Sequence, residues 1–437
     1  MLNAIWVGLV VIAVVLAAFT GRMEAVSQGA LEAAKDAITL VIGLTGGMIL
    51  FLGLVQVASE GGLLRAFIRL LRPVLRRLFP DVPPDHPAMH AMIMNLAANM
   101  LGLGNAATPF GLKAMVELDR LNPHRGSATN AMALFLAINA TSITVMPPTG
   151  TVMIRAAAGS SAPFSIWIPT LLATTASTLT AVLVCLAVQR LRVFRPRPPA
   201  ESAPPPEAPA DLPEAKLPGL DAPRVPAGRW RVGLALGIAL ALFWGLARQW
   251  AEHAPDTGSW PFLRDQVLRH WLLPLLVLGF VVIGLLGRVR VYDVLIEGGK
   301  EGLSVAVRIA PYLVVILVAV AMFRASGALE MLVRALDPFT SAVGFPAEAL
   351  PMALLRPLSG SGAFAVMAEA VSTHGPDSFV GQLVSTLQGS TETTFYVLAV
   401  YLGVIGVRDS RHIVVACLAG DLAGFAAATA ACHAFFG

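Results

Sequence analysis

The chain has 437 residues, of which 56% are hydrophobic and 13% charged, with a mean hydropathy of +0.72. A soluble domain carries about 25% charged residues, so a water-soluble globule is excluded and the core is built in lipid by helix packing. The net charge of +4 is small and reflects loop arginines of a membrane protein, with no footprint for nucleic acid.

A membrane-crossing helix needs about 20 mostly apolar residues. Residues 2–20 form the first such run, which lacks a basic leader and a convincing cleavage site and is read as a retained helix. A second run covers 36–58. Segment 62–79 then places Arg65, Arg69, Arg72 and Arg76 on one helical face. That pattern is an amphipathic helix at the membrane surface, with an anion site as the alternative. The apolar stretch 88–117 carries Asn95 and Asn99 one turn apart and is then interrupted by Gly102, Gly104, Asn105, Thr108 and Pro109. Stretch 127–155 contains "NATSITVMPPTG", where Pro147 and Pro148 remove donors and end a helical half. Run 165–190 closes this part of the chain.

Residues 192–228 are dominated by proline and alanine and read as an extended linker. Flanking Arg190, Arg192, Arg195, Arg197, Arg229 and Arg231 place it in the cytoplasm. Apolar runs follow at 231–249, 271–287 and 303–323. The loop 250–270, with Trp250, Trp260 and Trp271 in or beside it, is expected outside. Stretch 349–371 contains "RPLSGSGAF", with Arg356, Ser359 and Ser361; stretch 379–406 contains "QGSTETTFY", from Gln388 to Tyr396. The last run, 413–436, carries Asp421.

The parts on either side of the linker are related. Gly62, Leu64, Arg69, Leu71 and Pro73 match Gly327, Leu329, Arg334, Leu336 and Pro338 at a constant offset, and each copy runs on to a Phe-Pro pair. Arg22 follows the first helix, and Arg288 and Arg290 follow helix 271–287, so both are expected to run from outside to inside. Helix 231–249 then supplies the additional crossing that a parallel second copy needs, and the halves are expected to be parallel repeats.

An unpaired backbone group in lipid costs several kcal/mol, so a broken helix survives only inside protein or beside a water-filled cavity. Such breaks are natural solute or ion sites. Asn139, Thr141, Ser142 and Thr144 align with Gln388, Ser390, Thr391 and Thr393, while Glu392 falls opposite Ile143 and belongs to one half only. These hydroxyls are candidate ligands, with back-bonding to their own helix as the alternative. Arg356 is costly at membrane depth and is a candidate for an anionic group, or for neutralisation by Glu392. Asp421 is a candidate for handling a proton or cation, or for a helix–helix hydrogen bond. Cys185, Cys417 and Cys432 have no paired spacing and are expected as packing thiols, and no metal motif is present.

Several long motifs resemble a known family: "FPDVPPDHPAM", "NLAANMLGLGNAATPFGLKAM" and "NATSITVMP" in the first half, and "EGLSVAVRIAPYLV", "FRASGAL", "RPLSGSGAF" and "STLQGSTETTFYVLAVYLG" in the second. The first half resembles spore maturation protein A and the second spore maturation protein B, joined in one chain. The resemblance implies a nucleoside recognition, or Gate, domain in each half, and it leaves the substrate open.

The expectation is therefore an all-α polytopic membrane protein of two homologous Gate halves, with broken helices and re-entrant hairpins meeting at a central site. Residues 1–191 are the first half, 192–228 the linker, 229–250 a joining helix and 271–437 the second half. The expected function is secondary transport, as an elevator, of a small polar or anionic solute in the bacterial inner membrane, coupled to sodium or protons. Its expected solute ligands are Asn95, Asn99, Asn105, Thr108, Asn139, Thr141, Ser142, Arg356, Ser359, Ser361, Gln388, Ser390, Thr391 and Glu392, with Glu392 and Asp421 as coupling sites. No resident cofactor, metal or nucleic acid is expected; the partners are the solute, the bilayer and a second copy of the chain. The alternatives are a non-transporting membrane regulator and, through Ser361 and His374, an intramembrane serine hydrolase.

Overall fold

In lipid every backbone N–H and C=O must find its partner within the chain, so the apolar runs fold as helices. The computed structural model describes residues 2–102, 104–124, 126–195, 228–340, 342, 344–407 and 409–437; most of the expected linker therefore lies outside the described residues. The first half contains α1 (Leu2–Thr20), α2 (Met23–Glu60), α3 (Leu63–Leu78), α4 (Pro87–Met100), α5 (Gly104–Arg120), α6 (Asn130–Thr141), α7 (Thr149–Ala157) and α8 (Trp167–Val188). Next come α9 (Arg229–Thr257), the short α10 (Ser259–Phe262) and a π-helical stretch, Leu263–Trp271. The second half contains α11 (Leu272–Leu286), α12 (Val291–Ala325), α13 (Ala328–Thr340), α14 (Leu350–Leu355), α15 (Gly360–His374), α16 (Phe379–Ser390), α17 (Thr394–Gly403) and α18 (Ile413–Phe436). Met23–Glu60, Pro163–Val188, Arg229–Glu252 and Ile413–Phe436 are each long and apolar enough to cross a membrane, and the chain is a multi-pass membrane protein.

The order of elements repeats: α1–α8 correspond to α11–α18. Gly62 before α3 and Gly327 before α13 occupy the matched corner, and both adopt a left-handed backbone (φ 107° and 86°) that a side chain would strain. The chain turns there from a long helix into an amphipathic one. In α3 the buried side is Leu64 and Leu75, while five arginines line the remainder.

The parallel relation expected between the halves is not the one found. Matched helices pack antiparallel: along α2 and α12, Gly29 faces Ala325, Met48 faces Gly302 and Gly53 faces Gly298. Along α8 and α18, Ala181 faces Gly420 and Ser177 faces Gly424. The halves are therefore inverted. Arg22 lies against Gly327, whereas the turn before Arg288 lies against Gly61, at the other end of the α2–α12 pair. A helix as long as α2 spans about 57 Å, so the two arginine markers sit on opposite faces and α1 and α11 do not both run from outside to inside. The physical reason is that α4–α5 and α14–α15 turn back as hairpins and add no crossing. Each half thus begins and ends on one face, and α9 supplies the odd crossing that inverts the second. α9 packs beside α11, where Arg231 donates to Leu285 O at 2.9 Å, and none of its apolar window is buried.

The α2–α12 contact forms a closely packed wall. Gly53, Gly298, Gly299 and Gly302 let the two backbones approach until a Cβ would meet carbonyl or backbone atoms. Against this wall stands a core built from α4–α8 and α14–α18, where Phe135, Met132, Tyr401 and Ile413 are buried in one cluster and Met352, Met367, Leu383 and Leu387 in another.

Candidate functional site

α6 and α7, and likewise α16 and α17, are halves of one interrupted span. Thr129 caps the start of α6 by accepting from Met132 N–H at 3.1 Å, and Ser378 caps α16 by accepting from Gly381 N–H at 3.0 Å. The first span breaks over Ser142–Pro148, where the prolines remove donors. The second breaks at Thr391 and Thr393, both in extended conformation. Hydroxyl side chains here offer the backbone local alternatives to the helix.

The two breaks meet. Glu392 N–H donates to Ala140 O at 2.8 Å, joining the end of α6 to the break of the other span. Each break also rests on a hairpin tip: Val145 N–H donates to Met100 O at 3.2 Å, and Phe395 N–H to Pro357 O at 3.0 Å. The bundle centre thus holds four half-helix ends, two with unsatisfied carbonyls and two with unsatisfied N–H groups.

The charges found there answer those ends. Arg356, 4% exposed, donates to the Thr391 carbonyl at the end of α16 and to Thr393 Oγ1 at 3.1 Å. A cation is favoured at such a C-terminus. Asp421, 2% exposed, accepts from Thr394 Oγ1 at 2.8 Å in the first turn of α17, where an anion is favoured. Arg356 and Asp421 are within electrostatic reach of one another. Glu392 lies 3.9 Å from the Arg356 guanidinium with its side chain 58% exposed, so it is the outer partner and Thr391 the closer one. The first half handles its ends without charge. Asn99, which precedes Met100 as Arg356 precedes Pro357, donates to Asn139 Oδ1 at 3.0 Å. Thr174 Oγ1 accepts from Thr144 N–H at 3.4 Å.

The expected ligands divide into groups. Arg356, Thr391, Glu392, Asn99, Asn139 and Asp421 gather at the crossing. Ser359 and Ser361 lie beside it, since a Cβ on the intervening Gly360 would meet Thr393 Oγ1 at 2.7 Å and approach Arg356; Ser359 is spent capping α15, accepting from Gly362 N–H at 3.0 Å. Thr141, Ser142 and Ser390 donate to carbonyls of their own helices at 2.8, 3.3 and 2.8 Å, as the alternative reading of those hydroxyls had it. Asn95 is fully buried and donates to Ala107 O at 2.9 Å, which holds the α4–α5 hairpin closed. Gln388 is half-buried, and its Oε1 has no partner among the described residues. Thr108 is half-buried in α5, and the side chain of Asn105 lies outside the described residues. Ser361 and His374 sit at opposite ends of α15, about 20 Å apart, out of hydrogen-bond reach.

Sequence reasoning missed the outer ends of the spans. Arg155, at the end of α7, is fully buried. It donates to the carbonyls of Pro163 and Pro376 and pairs with Asp377 at 3.1 Å, just before α16. Asp377 also accepts from Ser160 and Ser161; burial opposes its ionisation, but these bonds together with Arg155 hold its carboxyl below the usual carboxylate range. On the opposite face Arg411, beyond α17, donates to Ala128 O and Asn130 Oδ1 at 2.9 Å each, at the start of α6. Each broken span is therefore latched at its outer end to the start of the other. The signal that marked Arg356, an arginine inside an apolar stretch, was present at Arg155 too.

The sequence model of the Gate family, described as nucleoside recognition, matches residues 41–158 and 306–408. Over 184 residues the chain is 44% identical to spore maturation protein A of Bacillus subtilis, covering 42% of this chain and 93% of that protein. Over 166 residues it is 42% identical to spore maturation protein B of the same organism, covering 38% of this chain and 93% of that protein. No solved structure matches.

Proposed function

The chain belongs to the Gate, or nucleoside recognition, family and carries that region twice, and on this premise we propose that it is a secondary transporter of a small polar or anionic solute. The observation that carries the reading is the crossing itself. Two interrupted spans run antiparallel and touch at their breaks through Glu392 N–H and Ala140 O, with a buried cation and a buried anion beside the half-helix ends. Irregular backbone at this depth is tolerated where it is buried in protein or lines a water-filled cavity, and such breaks are where transporters hold their solutes and ions.

In this reading the solute sits among Asn99, Asn139, Thr391, Glu392 and the Arg356 guanidinium. Asp421 takes the coupling proton or sodium ion. The α2–α12 wall is the fixed part, which also serves a homo-oligomer, and the two crossed spans with their hairpins move against it as an elevator. The latches at Arg155 and Arg411 close the path on each face. The five arginines of α3 and the arginines flanking the linker share one face; by the positive-inside tendency that face and the linker are cytoplasmic, in the inner membrane.

Purified protein in proteoliposomes, screened for uptake of nucleosides, amino acids and small carboxylates under sodium and proton gradients, tests the proposal. Uptake of one solute class is expected, abolished by Asp421→Asn when a gradient drives it. If no solute moves and none raises the melting temperature, the transport reading fails.

A further inference from the structure

Away from the crossing, on the arginine-rich face, a cavity of about 610 Å³ opens where the ends of α5, α6 and α8 converge. It is lined by Arg190, Arg195, Arg411, His124 and Asn130, with Asp81 as its one acidic side chain. Among the described residues Arg190 and Arg195 form no ion pair or hydrogen bond through their guanidinium groups. The turn that carries Arg195 is held in place from below: Arg411 Nε donates to Phe194 O at 2.6 Å, and the His412 ring packs edge-on against Phe194, with centroids 6.0 Å apart. Arg411 in turn is tied to Ala128 and Asn130, so its guanidinium cannot swing away to solvent. The first turn of α6 forms part of the wall through Thr129, Asn130 and Ala131, adding the positive end of a helix to the arginines.

This concentration of cations is not required by the fold. The matched corner of the second half, before α16, is built the opposite way. There Asp377 supplies the charge and Arg155 is neutralised by it. One face thus holds its arginine in a direct ion pair with an acid, while the other assembles three arginines around an open volume, with Asp409 near Arg411 and accepting from its backbone N–H. Guanidinium groups held at a cavity wall present forked donors that match the oxygens of a phosphate.

We propose that this cavity binds a phosphate group, presented either by a small free phosphorylated solute or by an anionic lipid headgroup at the membrane surface. The site is separate from the crossing and does not depend on the transport reading.

The test uses the full chain in detergent with inorganic phosphate, and in nanodiscs of phosphatidylcholine with or without phosphatidylglycerol, always against sodium chloride of equal ionic strength. Phosphate, phosphatidylglycerol or both are expected to raise the melting temperature above the chloride control, and which one does so identifies the source. The Arg190→Gln/Arg195→Gln double variant keeps Arg411, and hence the start of α6, intact; its apparent affinity is expected to fall at least tenfold while its melting temperature without anion stays unchanged. Asp421→Asn, at the crossing, is expected to leave the anion response as it is. The proposal is overturned if neither anion shifts the protein beyond chloride, or if the double variant responds as the parent does.

Discussion

Arg356 and Asp421 show how a charge survives in a lipid-embedded core: each sits where a half-helix ends and offers it the opposite partial charge. Arg356 was legible in the sequence because an arginine at membrane depth always demands a partner. Which partner it takes was not, since Thr391 and Glu392 are neighbours in the chain and only the fold decides that the Thr391 carbonyl is nearer. His412 stands out only once the chain is folded. It is fully buried in the turn before α18, with neither ring nitrogen partnered among the described residues, and burial first and Arg411 second push its pKa down to about 4. The unfolded chain takes up this proton near pH 6.5, whereas the folded chain refuses it until about pH 4. The contribution to stability is therefore complete above pH 6.5 and declines as the pH falls to about 4, at about 1.4 kcal/mol per pH unit. Melting temperatures of the parent and His412→Gln between pH 7.5 and 4 check this; the variant is expected to lose less stability on acidification, and equal slopes would refute the assignment.

Among the elements, the interrupted spans were readable from proline pairs and hydroxyl runs, and the structure places their breaks where those residues stand. The α2–α12 wall was not readable, because glycines in an apolar helix have many uses. A Cβ on Gly53 would lie 2.4 Å from the Leu295 carbonyl oxygen, whereas one on Gly46 meets nothing within 4 Å. Gly53→Val is expected to destabilise the protein by about 1–3 kcal/mol through overpacking, and Gly46→Val to escape that steric cost. Thermal unfolding in detergent separates them; a wall that yields easily would let both variants melt alike.

For the molecule as a whole, inversion of the halves makes a topological prediction. Ser27 near the start of α2 and Tyr292, its match 265 residues on near the start of α12, are both exposed, and inversion puts them on opposite faces. The native cysteines are buried. In intact cells a membrane-impermeant maleimide is expected to label Ser27→Cys and to reach Tyr292→Cys only after lysis. Labelling of both from outside would exclude the inverted arrangement. A signal for a longer repeat was available: Glu32, Lys35 and Asp36 in α2 precede Glu297, Lys300 and Glu301 in α12 by the same 265 residues that separate Gly62 from Gly327. It strengthens the correspondence of the halves, yet it carries no direction.

Composition, hydropathy and motif spacing by themselves determined an all-helical membrane protein of two related halves with broken helices, because lipid leaves the backbone no other way to satisfy its hydrogen bonds. The tertiary structure decided what a linear repeat cannot encode: that matched helices run antiparallel, that several site hydroxyls are spent on their own helices, and that Arg155 and Arg411 latch the two spans together. Those outcomes depend on which segments turn back as hairpins and on which groups meet across hundreds of residues, and both are settled only when the packed chain pairs its buried polar groups.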